Sequence, residues 1–173
     1  MNVRNAALSF AAMAVFCSTA AQAQVSQNGH RLTLNVAVAA AMEAVNVCKA
    51  NGYDVTATVV DVDGTPKAVL RGDFATIHTR DSSFRKAYTV VTMGPIFHVD
   101  STSDWLAIVA KYPALAGQAL ANTPNVTALP GGAAIKLGDE IIGGIGVGGS
   151  PGGDKDEVCA KAGVTKANDL LRR

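Results

Sequence analysis

Ten of the chain's 17 glycines fall between Gly131 and Gly153, and that concentration limits what the C-terminal half can become. Two apolar runs, Ala133–Leu137 and Ile141–Val147, flank Gly138-Asp139. The pattern predicts a β-hairpin whose Gly-Asp pair takes positive φ at the turn. Pro130-Gly131-Gly132 leads in as a tight turn, and Gly148 to Gly153 leads out into a final helix. Glycine weakens a strand interior unless something approaches the backbone closely. The hairpin is therefore expected to lie against a ligand, a neighbouring helix or another subunit.

The rest of the chain surrounds this hairpin with helices. Thr33 is a helix cap, and Leu34, Val38, Ala41, Val45 and Cys48 recur at helical spacing up to a Gly52 stop. Tyr53–Asp61 is β-branched and reads as a strand, turned back by Asp63-Gly64 into Pro66–Leu70. Thr79 or Ser82 starts a second helix with Phe84, Ala87, Tyr88 and Val91 as its apolar stripe, and Gly94-Pro95 is expected to end it. Ser101 or Ser103 caps a short helix through Lys111, and Pro113 begins another. Val126–Leu129 reads as a short strand, and Asp154–Leu170 as a helix interrupted at Gly163. Hairpins alternating with helices define an α+β layer architecture.

The first 23 residues read as a signal peptide. Arg4 is the positive n-region, Ala6–Phe16 the apolar core and Ala21-Gln22-Ala23 a small-x-small cleavage site, so the mature domain is expected to span 24–173. The apolar run falls short of the roughly 20 residues of a spanning helix. The expected location is the periplasm or the medium. Removing Arg4 takes Lys+Arg from 15 to 14, against 14 Asp+Glu. Net neutrality argues against nucleic acid, and against a membrane surface once the leader is removed. Cys48 and Cys159 are the two mature cysteines. In an oxidising compartment they can pair; the alternative is two buried small hydrophobes.

Chemistry-bearing motifs are few. Gly144-Ile-Gly-Val-Gly-Gly149 matches G-x-G-x-x-G in letters, but the dinucleotide fingerprint needs a βαβ unit and a later acidic residue, and one helix remains before the chain stops. The loop's N–H groups are left as a weaker candidate for holding a carboxylate or phosphate. No Ser-His-Asp order, Gly-x-Ser-x-Gly or His-Glu-x-x-His occurs, so no catalytic residue is assigned. Of the three histidines, His30 lies in a polar arm, His98 near a helix boundary and His78 at the start of the second helix. Asp81 is placed to orient the His78 imidazole, and Arg80, Arg85 and Lys86 offer cations to an acidic ligand. The bland alternative is a solvated helix face with an Asp81–Arg85 pair. Tyr88 reads as core with a hydroxyl able to reach a pocket. Asp61 and Asp63 are explained by hairpin chemistry.

VVDVDG (59–64), FRKAYT (84–89), LPGG (129–132) and IIGGIGVGGSPGGDKDEVCAKAG (141–163) together resemble the GlcG/HbpS family, and also the C-terminal haem-binding domain of some PduO-type proteins. The resemblance runs roughly from Leu32 to Leu170. It implies a single antiparallel sheet of about five strands flanked by helices, in a profilin-like layout. It also implies a homo-oligomer, commonly an octamer, and a haem-binding protein that scavenges or senses haem outside the cytoplasm. Many relatives carry a small or apolar residue where this chain has His78, in the segment GDFATIHTRDSS (72–83). Haem ligation by His78 is therefore this chain's own hypothesis and is not carried over. Haem wants an axial imidazole, an apolar slot and cations for its propionates. The candidates are His78 for the iron, Tyr88 with Phe74 or Ile77 for the slot, and Arg71, Arg80 or Arg85 for the propionates. Gly131 and Gly132 are the expected pocket wall, and His30 and His98 the reserve ligands. The alternatives are a binder or enzyme for a carboxylate-bearing metabolite with His78 as acid/base, and a purely structural subunit.

Overall fold

In the computed structural model, residues 29–172 are described; the signal-peptide assignment lies outside them. Thr33 caps the first helix, α1 (Leu34–Ala50), its Oγ1 accepting from Val36 N at 3.4 Å. A hairpin follows, β1 (Thr56–Asp61) and β2 (Pro66–Arg71), with Gly64 at φ +76° in its turn. Next come α2 (Thr79–Phe97), α3 (Thr102–Val109) and α4 (Ala114–Ala121). The glycine hairpin is β3 (Gly132–Leu137) and β4 (Glu140–Gly148), turned at Gly138 with φ +61°, and α5 (Gly153–Leu171) closes the chain. The four strands form one antiparallel sheet in the order β2-β1-β4-β3.

The sheet thus has four strands where about five were expected. The missing one is Val126–Leu129, which is not a strand. Val126 O accepts from Arg85 and Thr127 N donates to Thr89 Oγ1, so this backbone meets polar partners on α2 instead of a ladder.

Strand alternation sends two different surfaces to the two faces. Ala57 and Val59 of β1 and Ile145 and Val147 of β4 face α1 and α5 in the main apolar core. Thr56, Thr58, Gly144, Gly146 and Gly148 face α2. A bulge between Ile135 and Lys136 against β4 makes Ile142 the extra residue, so Ile142 joins the main core while Ile141 packs with Val60, Ala87 and Val91.

Helix α1 is rotated relative to the expected stripe. Its buried residues are Val36, Ala37, Ala40, Ala41, Ala44 and Cys48, whereas Leu34 and Val38 are exposed. The alanines let α5 approach closely. Gly163 does not interrupt α5; a Cβ there would meet Ala40 O at 2.7 Å and Ile145 Cδ1 at 2.6 Å. Cys48 and Cys159 lie in that contact and are disulfide-bonded, with Cα atoms 5.6 Å apart.

Gly94-Pro95 does not end α2 either. The helix continues to Phe97, whose ring packs on Trp105 at 4.9 Å between centroids. It stops at His98, which takes the left-handed conformation (φ 55°, ψ 49°). Phe97 and Trp105 belong to a satellite core with Met93, Val99 and Val126, which seats α3 beside α2. Ser101, not Ser103, caps α3, accepting from Asp104 N at 3.1 Å. Among the described residues, no helix is long and apolar enough to cross a membrane.

Candidate functional site

Helix α2 meets the sheet through backbone and hydroxyls. A Cβ on Gly144 would lie 2.7 Å from Val90 Cγ2 and 2.8 Å from Ala87 O, and one on Gly146 would collide with Ser83 O. Of the three occupants expected against the glycine strand, the structure places a helix there. Thr79 Oγ1 donates to Thr76 O at 2.6 Å, so in its 2.7 Å contact with Thr56 the Thr56 hydroxyl is the donor. Ser83 Oγ likewise donates to Arg80 O at 3.0 Å and accepts from Thr58. These bonds fix the first turns of α2 and the residue just before them, His78.

His78 is exposed at the N-terminus of α2. Its Nδ1 is 3.1 Å from Thr76 Oγ1, which leaves Nε2 as the ring nitrogen open to a ligand. Asp81 does not orient this imidazole; it pairs with Arg80 at 3.2 Å. His78 lines a cleft of about 410 Å³ together with Ser82, Leu129, Pro130 and the Gly149–Gly153 loop. Lys86 and Asp156, both buried, also line that cleft.

Lys86 is the main departure from the sequence reading. The sequence offers it as a cation for an acidic ligand, with a solvated helix face as the alternative, yet its side chain is 5% exposed and that of Asp156 4%. Lys86 Nζ donates to Asp156 Oδ2 at 2.7 Å and to Val147 O at 2.8 Å. Asp156 Oδ1 accepts from Ser150 N at 3.0 Å and from Ser150 Oγ at 2.7 Å. A signal was present: Lys86 falls on the helical face of Ser83 and Val90, which are both buried. Asp156 carried no signal, since an acid in the first turn of a helix is ordinarily a surface residue that favours the dipole.

The other candidates are distributed around this cleft. Gly131 (φ +124°) and Gly132 do not line it but lie behind it. A Cβ on Gly131 would meet Lys86 Nζ at 2.7 Å, and Gly132 N donates to Thr102 Oγ1 at 2.8 Å. Arg85 lies outside the cleft; its Nη2 donates to Val126 O at 2.6 Å, so no Asp81–Arg85 pair forms. Arg71 Nε donates to Ala75 O at 2.8 Å, also away from it. Tyr88 stacks on Phe84 at 5.7 Å and covers Gly64. His78 is thus brought together with the glycine-rich loop, and not with Arg71, Arg85 or Tyr88.

Beside Asp156, the Glu157 carboxylate accepts from Ser103 N at 3.2 Å, Ser103 Oγ at 2.6 Å and Gly131 N at 3.4 Å. Burial pushes its pKa up, but hydrogen bonds from Lys161 and Ser103, the Lys161 charge and the Gly131 N–H together hold it below the ordinary value. The reserve histidines lie elsewhere. The polar arm is read from the sequence as loose, but His30 is tied to β4: its Nδ1 is 2.8 Å from Glu140 Oε2, and its N donates to Oε1 at 3.1 Å. That side-chain bond is the main cause of a lowered Glu140 pKa, against an opposing effect of desolvation. His98 lines a separate cleft of about 590 Å³ with Asp100, Lys136 and Glu140.

Sequence and fold place the chain among known proteins. A family model described as "Haem degrading protein HbpS-like" matches residues 32–165. The crystal structure of HbpS is 33% identical, covers 80% of this chain and 92% of its own, and superposes with a TM-score of 0.72. A double Glu-to-Asp variant of Streptomyces reticuli HbpS is 32% identical over 93% of this chain and 97% of its own, with a TM-score of 0.71. The chain belongs to the HbpS-like family. A solved PduOC–haem complex shares the fold at 23% identity, covering 79% of this chain and 95% of its own, with a TM-score of 0.68. No functionally curated protein matches the chain.

Proposed function

We propose that the chain is an exported haem-binding protein that takes up haem, or a similar tetrapyrrole, at the cleft beside His78. The observation that carries this reading is an exposed imidazole, braced at Nδ1 by Thr76, at the rim of a cleft of about 410 Å³. Leu129 and Pro130 supply apolar contact, and the Ser82 hydroxyl, 3.4 Å from Thr79 O, is a polar group on the wall; the donors of Ser150 are already engaged by Asp156 and Gly152. Phe74 and Ile77, just upstream of His78, are 82% and 72% exposed and are free to cover a porphyrin face. These residues meet two of the needs of a haem, an axial donor and apolar walls; the cations expected for its propionates, Arg71 and Arg85, lie away from the cleft, and Lys86 is paired with Asp156. Bound haem would supply iron redox chemistry; the protein's part is to hold the ring and screen one of its faces. Family membership and the haem named in the PduOC complex support the same reading. Scavenging or sensing of haem is the role this implies.

Export is supported by the leader sequence and by the disulfide, since such bonds persist in oxidising compartments. Self-association is supported by Leu34, Val38 and Met42, which lie exposed at four-residue intervals along α1. Sedimentation of the mature protein reads the oligomer size.

The test is a haem titration of protein beginning at Gln24, followed in the Soret band, beside His78→Ala. A sharp band lost in the variant supports His78 as ligand. A band retained in the variant moves the ligand to His30, His98 or a non-histidine group. No band in either protein overturns the haem reading. A second reading is then favoured by the polar floor of the cleft: a small carboxylate-bearing metabolite, with His78 as acid/base, read by carboxylate-induced shifts of the His78 ring resonances.

A further inference from the structure

The loop that walls the cleft has little reason of its own to hold one shape. Gly149, Gly152 and Gly153 occupy three of its five positions, and Gly149 sits at φ +136°. Each of these glycines gives up more conformational entropy on ordering than any other residue would, and Pro151 offsets only its own position. Gly152 O accepts from Lys155 N and Asp156 N at the start of α5. The side chain that ties the loop to the other elements is Asp156: its Oδ1 accepts from Ser150 N and lies 2.7 Å from Ser150 Oγ, whose one proton it shares with Gly152 O, also at 2.7 Å, while Oδ2 is held by Lys86. Lys86 is fixed in turn by Val147 O on β4. The chain of bonds runs from the sheet, through α2, into the first turn of α5 and out to the loop.

Burying this ion pair is a poor way to gain stability. Desolvation of two charges offsets most of their attraction, and well-packed apolar replacements are often as stable. We infer that Lys86 and Asp156 are positioning residues, kept to hold the Gly149–Gly153 loop as a preformed wall of the His78 cleft. Its link to ligand affinity rests on the proposed site, but its effect on the loop does not.

Two double variants separate the hydrogen-bonding role from the charge. Lys86→Met/Asp156→Asn removes both charges and keeps an acceptor for Ser150. Lys86→Met/Asp156→Leu removes both charges and the acceptor. Amide exchange at Ser150 in the ligand-free protein is the direct readout, with the thermal midpoint as the stability control. Both variants are expected to fold. The Asn variant should retain Ser150 protection within about three-fold of the parent, and the Leu variant should lose about ten-fold or more. Haem affinity should follow, falling about ten-fold in the Leu variant and recovering in the Asn variant. A Leu variant that folds with Ser150 still protected overturns the inference, as does one that fails to fold while the Asn variant folds, since the acceptor for Ser150 would then serve folding of the whole chain and not the shape of the loop. Absence of haem uptake by the parent protein would overturn the proposed function, and exchange would still decide the role of the pair.

Discussion

The two faces of the sheet are closed in opposite ways. Toward α1 and α5 the contact is apolar: alanines, Ile145, Val147 and a buried disulfide. Toward α2 a small apolar cluster of Val60, Ile141, Ala87 and Val91 is joined by glycine backbone, hydroxyl pairs and the Lys86–Asp156 pair. The first face tolerates adjustment, because dispersion contacts are non-directional and a covalent staple limits the unfolded chain. The second is directional: each hydroxyl has one proton and one place for it. The cleft lies on the second face, where directional bonds hold its walls. A site that must present an imidazole in one orientation gains from that rigidity.

The largest expected effect is on the apolar face. Cys48 and Cys159 are 111 residues apart in sequence, so their bond removes a large loop from the unfolded ensemble. Replacing both by alanine is expected to cost about 4 kcal/mol, measured by denaturant unfolding. The cleft should remain in the folded fraction, with His78 ring shifts unchanged. A loss of the His78 environment at full fold would break the separation of the two faces.

Next comes the glycine face. Gly146→Ala would drive a methyl group into Ser83 O and Ala87 N, both backbone atoms that cannot rotate away. The helix must lift from the sheet, at about 3 kcal/mol. Gly163→Ala on the other face meets Ala40 O and the flexible end of Ile145, so it should cost less. Unfolding curves for the two variants give the comparison directly; equal costs would show that both helices are held equally tightly.

Much of the fold was legible because its signals are local. The Gly64 and Gly138 turns need positive φ and are marked by Asp-Gly and Gly-Asp. The Thr33 cap and the helix-strand order were also readable. What was missed depends on partners distant in sequence. Ala40 is core because Gly163 faces it, and Lys86 is buried because Asp156, 70 residues on, receives it. Pro95 lies inside a helix because Phe97 gains Trp105 beyond it. For the site, His78 and the glycine loop were singled out from sequence, but the carboxylate that ties the loop to α2 was not.

A smaller effect tests the hydroxyl pairs. Thr58→Val keeps the shape and removes the donor to Ser83 Oγ, which still donates to Arg80 O. The cost should be about 1 kcal/mol, and Thr58→Val/Ser83→Ala should cost less than the sum of its two single changes. An additive cycle would mean that the pair contributes nothing beyond its separate members.

The smallest effect is expected at Glu157, where the two faces meet through α5. Its carboxyl is held below the ordinary value of 4.5 in the folded state. The unfolded chain therefore binds the proton first as pH falls. Stability from this group is fully present above about pH 4.5 and is lost as pH drops through the lower folded value. Glu157→Gln should lower stability at neutral pH and flatten the acid limb of the stability–pH curve below pH 4.5, because Gln does not titrate there. The affected bonds, to Ser103 and Gly131, tie α3 and the entry to β3 onto α5. Exchange at the Gly131 amide should therefore rise with the loss, while the Ser150 amide, held by Asp156, stays protected. If both amides loosened together, the adjacent carboxylates would act as one unit, and the division between the cleft wall and its surroundings would have to be redrawn.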